Sequence, residues 1–146
     1  MRKFIIPLFA GILLLSGMAF ADISKMDAPL LDQIKDAEKG ELIPAIILMA
    51  ERPDIEMLNA LTAEVPRDQR AKIVWREVES LANRTQGNLL DNLTWEEAAG
   101  FASDISQIMI ANGIQLKATA EVLMNISDRE DVYLLIDNRE EFVLPI

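Results

Sequence analysis

The chain has no cysteine and no histidine in its 146 residues. No disulfide can staple it, so its stability rests on packing. A thiolate nucleophile, an imidazole base and a histidine-ligated zinc are all excluded by absence. Basic residues are scarce as well: 14 Lys and Arg stand against 24 Asp and Glu, a net charge of −10. That balance argues against nucleic acid or an anionic lipid surface as partner. With a single tyrosine, Tyr133, acid, base or nucleophile chemistry is left to carboxylates, Lys, Ser, Thr and one phenol, and no enzyme is expected. Glu96 and Glu97 do not alter this, because adjacent residues of a helix point apart and cannot flank one substrate. No cofactor is expected either. Asp128, Glu130 and Asp131 lack the ligand spacing and the glycine of a calcium loop. The glycosylation-like triplets at Asn83, Asn92 and Asn125 fall in or at the ends of predicted helices and read as chance.

What the chain does have begins with its start. Arg2 and Lys3 precede an apolar run from Phe4 to Leu15, and Ala19-Phe20-Ala21 offers small residues to a signal peptidase. The run is shorter than the ~20 residues a bilayer crossing needs, so residues 1–21 read as a leader cleaved after Ala21. Export to the periplasm or beyond the cell, with no membrane attachment after cleavage, is the expectation. About 125 residues then remain, enough for one domain with a sizeable core. Loss of Arg2 and Lys3 makes that domain about two units more negative than −10.

Asp27-Ala28-Pro29 opens a helix, with Asp27 as cap and Pro29 in the first turn. Leu30, Leu31, Ile34 and Ala37 recur at helical spacing until Gly40. Leu42 to Ala50 is a continuous apolar run rich in isoleucine, a buried strand with Pro44 near its start. Asp54 caps a brief helix through Ile55, Leu58 and Leu61 that ends before Pro66. A long helix runs from Arg67 to Leu93, with Val74, Val78, Leu81, Ala82, Leu89 and Leu93 on one face and Gly87 weakening it. Thr94 to Glu97 has capping-box spacing and predicts a separate short helical turn.

Ser106 to Ala111 reads as a strand. Asn112-Gly113 predicts a type I′ hairpin turn, because both its positions need positive φ. Ile114 to Ala118 alternates as a half-buried strand, Thr119 caps a helix carrying Val122, Leu123 and Ile126, and Val132 to Ile136 is the last strand. From Leu42 on the order is β, α, β, β, α, β, which predicts an α+β fold: a ferredoxin-like antiparallel sheet with extra N-terminal helices.

The segment Ala118-Thr119-Ala120-Glu121-Val122-Leu123, the strand ending in Asn112 and the Asp131-Val132 strand that leads into an extended tail resemble the inhibitory propeptides of subtilisin-type serine proteases (inhibitor I9-like domains). So do the opening from Ile23 to Leu31, Gly40-Glu41-Leu42-Ile43, and Gln86 followed by Leu89-Leu90. The likeness lies in order and spacing across most of residues 23–137, and no protease follows within the sequence.

The resemblance implies a propeptide-like inhibitor domain over residues 22–140 and a C-terminal tail over 141–146. It implies a subtilisin-type protease as partner, met by the helix-free sheet face through Tyr133 and Leu135. Asp137, Asn138 and Glu140 would cap helices of the protease, since carboxylates favour helix N-termini. Phe142, Val143 and Leu144 would enter the substrate cleft as an added strand, with Pro145 resisting cleavage. The residues themselves leave other readings open: Asp137 to Glu141 as a solvated linker, the tail as a frayed end, and the apolar sheet face as covered by the N-terminal helices. Two functions follow. One is an exported stand-alone inhibitor or folding chaperone of a subtilisin-type protease. The alternative is a structural or assembly module that pairs through its apolar sheet face, including with a second copy of itself.

Overall fold

The computed structural model describes residues 21–139. Residues 1–20 of the predicted leader, Glu140 and the tail with Phe142, Val143 and Leu144 lie outside them. A short 3-10 turn, Ile23–Lys25, precedes α1 (Ala28–Asp36), β1 (Ile43–Met49), α2 (Ile55–Thr62), α3 (Arg67–Ala98), β2 (Ala102–Ile108), β3 (Gly113–Ala118), α4 (Ala120–Ser127) and β4 (Val132–Asp137). The strands form one antiparallel sheet in the order β2-β3-β1-β4. The fold is therefore α+β, as expected. The strands joined by a helical crossover, β1 with β2 and β3 with β4, each have one antiparallel strand between them. Members of each such pair therefore run parallel to one another.

The caps read from the sequence form. Asp27 accepts from the Leu30 amide at 3.0 Å, Asp54 from Met57 at 2.9 Å and Thr119 from Val122 at 3.4 Å. Each satisfies a backbone donor that the first turn of a helix leaves without a partner. The separate helical turn at Thr94 does not form. The helix α3 continues through it for 32 residues, and the Thr94 hydroxyl donates to the Leu90 carbonyl instead. A threonine inside a helix can bond its own preceding turn, so capping-box spacing was no evidence of a break.

The core lies on one side of the sheet. Ile43, Ala45, Ile47 and Met49 of β1, Ile114, Leu116 and Ala118 of β3, and Val132 and Leu135 of β4 are buried there. From the helices come Leu30, Leu89, Leu93, Val122, Leu123 and Ile126. Leu31 and Ile34 of α1 pack against that same core. The N-terminal segment reaches it by running beside β4. Met26 bridges to Leu135, the Asp27 amide donates to the Leu135 carbonyl, and Lys25 donates to the carbonyl of Arg129.

The β2–β3 connection departs from expectation. Strand β2 starts earlier than the predicted Ser106, and residues 109–112 form the turn. A bulge between Ser103 and Ser106, with Asp104 at φ 54°, hides the alternation that would have revealed the strand. Asn112 does take positive φ, at 46°, but Gly113 does not; it is the first residue of β3, opposite Ile108 and Leu48. The turn is thus not a two-residue type I′ turn.

Asn112 is fully buried and sits at the centre of a polar network. Its side-chain carbonyl accepts from Gln86 at 2.9 Å, its amide donates to the Glu51 carbonyl at 2.7 Å, and both ends meet the Thr85 hydroxyl. Gln86, also fully buried, accepts in turn from Gln107 of β2 at 3.0 Å. The hairpin turn, the middle of α3 and the end of β1 are thereby tied through polar groups. Among the described residues no buried side-chain polar atom lacks a partner.

Candidate functional site

The second face of the sheet has no buried side chain. Pairing across the strands sets out its rows. Ile108 faces Gly113, Gly113 faces Leu48, and Leu48 faces Leu134; in the next row come Ser106, Gln115, Ile46 and Ile136. Ile46, Leu48, Leu134 and Ile136 are all half-buried and make a four-residue apolar block on the β1–β4 side. Gln115 and Lys117 of β3 are exposed and make the β2–β3 side polar, with Lys117 paired to Asp104 at 2.8 Å. Such a block, rimmed by polar groups, is the kind of surface a protein partner covers.

The register separates Tyr133 from Leu135. The β1–β4 register shifts between Leu48 and Met49, so that Leu48 pairs with Leu134 but Met49 with Val132. Tyr133 is the extra residue of that bulge. It is 54 % exposed, with the Arg52 guanidinium 4.3 Å from its ring centroid. An exposed cation–π contact of this kind contributes about 0.5–1 kcal/mol. Leu135, by contrast, is fully buried in the core opposite Ile47. It has no surface to offer a partner, and Leu134 and Ile136 occupy the positions it was expected to fill. Alternation counted along the sequence fails at a bulge, because one inserted residue moves its neighbours to the other face.

Asp137 is likewise engaged within the chain. Its carboxylate accepts from the Gln33 side chain, from the Arg139 amide at 2.9 Å and from the Arg139 guanidinium at 2.8 Å, while its own amide donates to Asp27. Burial pushes its carboxyl up, but the hydrogen bonds from Arg139 and Gln33 outweigh this and hold it below the ordinary value. A carboxylate so occupied is not free to cap a helix of another protein. Asn138 is half-buried, with its amide donating to the Pro44 carbonyl at 3.3 Å. At the opposite end of β4, Arg129 makes a paired contact to Asp131 at 2.8 and 2.7 Å and also donates to Asn88 of α3. That guanidinium holds Asp131 below the usual carboxylate range against the opposing effect of burial.

Both carboxyls are thus more acidic folded than unfolded. The stability they contribute is complete above the ordinary aspartate value of 3.8 and drains away as pH falls through the lower folded values. Melting curves at about pH 7 and about pH 3 should therefore differ, and Asp137→Asn should narrow the difference. An unchanged gap in the variant would remove Asp137 from the account.

Among the described residues no group of three acidic side chains is placed to hold a metal ion, and no helix is long and apolar enough to cross a membrane. Comparison with protein-family models, curated proteins and solved structures finds no match to this chain.

Proposed function

We propose that the chain is an exported, propeptide-like protein that binds a subtilisin-type serine protease through its open sheet face, as inhibitor or folding chaperone. It acts by binding rather than by catalysis. The observation that carries the reading is the solvent-facing block of Ile46, Leu48, Leu134 and Ile136 on an otherwise acidic, cysteine-free molecule. The two interlocked helical crossovers, each spanning one intervening strand, support the finer reading of the fold as ferredoxin-like. Tyr133 and Arg52 extend the docking face at the β4 bulge. With Asp137 held inside the chain, helix capping on the protease falls to Glu140, and Phe142, Val143 and Leu144 take the substrate cleft as an added strand.

The test is a titration of residues 22–146 into several subtilisin-type proteases, following peptide hydrolysis and, by calorimetry, binding. Inhibition with a dissociation constant of about 1 μM or tighter is expected. Ile46→Asp with Ile136→Asp should weaken binding by ~100-fold, because apolar residues at the centre of an interface dominate its energy. Deleting residues 142–146 should abolish inhibition while leaving binding detectable. Absence of binding to every protease, with the same double substitution instead dissolving a homodimer, would replace this reading by that of a self-pairing module.

A further inference from the structure

Helix α3 is longer than the sheet it covers. Its first buried side chain is Val78, so its opening eleven residues, 67–77, extend about 16 Å before any buried position. Helix α2 folds back on α3, burying Leu58 and Thr62, and its Met57 and Leu58 line one cavity with Val78 and Leu81. The resulting two-helix arm leaves Ile55, Met57, Leu61 and Trp75 exposed, at 64, 44, 46 and 51 %. Four large apolar side chains exposed on two adjoining helices are more than scattered surface residues explain.

The charges of the arm are divided by helix. Residues 54–64 carry Asp54, Glu56 and Glu64 and no base, whereas residues 67–77 carry Arg67, Arg70, Lys72 and Arg76 against Asp68 and Glu77. The second set is a basic segment in a chain of net charge −10. Among the described residues no ion pair joins the acidic set to the basic one. Arg70 turns to the carbonyls of Val65 and Ala63 at the end of α2. A surface with an acidic half and a basic half around apolar side chains is complementary to itself under a two-fold rotation, which is what a symmetric dimer requires.

We propose that the arm is a dimerisation element: two copies pair arm to arm, with α2 of each lying against the start of α3 of the other. Met57, Leu61 and Trp75 supply the apolar contact, and the opposed charges set the orientation. The pairing is independent of the protease reading. Since α3 packs on the covered side of the sheet, the dimer leaves both open faces clear and presents two docking surfaces.

Sedimentation of residues 22–146 over a range of concentration tests this. A dimer with a dissociation constant of ~10 μM is expected, weakened at least tenfold between about 0.05 and 0.5 M salt. Leu61→Glu with Trp75→Glu should give monomers whose melting is unchanged, since both sites are exposed. A charge exchange separates arm pairing from any other contact. A predominantly acidic arm (Arg67→Glu, Lys72→Glu, Arg76→Glu) and a predominantly basic arm (Glu56→Lys, Glu64→Lys) should each be monomeric alone and form a one-to-one dimer when mixed. A wild-type chain monomeric at ~100 μM, or a dimer indifferent to these changes, would overturn the proposal. So would binding of the monomer to phosphatidylglycerol vesicles, which would make the arm a lipid contact.

Discussion

Replacing Asn112 by Ala should cost about 3–5 kcal/mol of folding stability, read as a fall in the urea midpoint with an unchanged slope. The side chain is fully buried and has partners on two other segments: Gln86 and Thr85 of α3 and the Glu51 carbonyl beyond β1. Truncation strips the Gln86 amide and the Glu51 carbonyl of partners where water does not replace them. Each such orphan costs about 1–3 kcal/mol. The backbone adds a second penalty, because φ of 46° suits Asn and strains Ala by about 1–2 kcal/mol. Asn112→Gly separates the two contributions: it loses the same hydrogen bonds but relieves the strain, so it should recover roughly 1 kcal/mol. Equal losses for the two variants would place the whole effect in the network. A loss below about 1 kcal/mol for either would mean that water enters and satisfies the freed groups.

Two glycine substitutions should move stability in opposite directions. An added Cβ at Gly113 would stand 2.7 Å from the Ile47 carbonyl oxygen and 3.2 Å from Leu48 Cδ2. That carbonyl belongs to the backbone of β1, which pairs with β3 on one side and β4 on the other, so it cannot yield without disturbing the ladder. Gly113→Ala should therefore cost about 2–4 kcal/mol. At Gly87, inside α3, a Cβ meets nothing within 4 Å. Gly87→Ala should stabilise by about 1 kcal/mol through helix propensity and a less flexible unfolded chain. Thermal melts of the pair decide the matter, and a tolerated Gly113→Ala would show that β1 and β3 can part locally at low cost.

These residues also mark how far the sequence could be read. The caps at Asp27, Asp54 and Thr119 were legible because each is local, a short polar side chain reaching a backbone amide three residues on. The apolar run over β1 and the stripe through Val78, Leu81, Ala82, Leu89 and Leu93 were legible for a related reason: shortness and isoleucine content mark the first as a strand, and the helical period marks the second as a helix. The importance of Asn112 and Gly113 was visible too, but the physical cause was misjudged. Gly113 is needed for its lack of a Cβ beside Ile47, not for positive φ, and Asn112 for the partners its side chain finds on α3 and beyond β1. Gln86 gave no sign of being buried beyond its place on the apolar side of the helix.

The candidate site divides in the same way. That Ile46 and Leu48 lie on the face opposite Ile47 and Met49 followed from strand alternation in β1. Which β4 residues join them did not follow, because the bulge at Tyr133 has no local signature and moves Leu135 into the core while bringing Leu134 and Ile136 to the surface. Asp137 was expected to cap a helix of a partner, whereas Gln33, 104 residues away, and Arg139 hold its carboxylate within the chain.

By itself, then, the sequence determined the exclusion of thiol and imidazole chemistry, the element order and the α+β class, since composition and short-range periodicity suffice for each. Only the tertiary structure decided which side chains face out, which carboxylates are occupied, and that α3 overhangs the sheet as an arm. Those depend on register, bulges and the relative lengths of packed elements, and each is set by contacts between residues far apart in the chain.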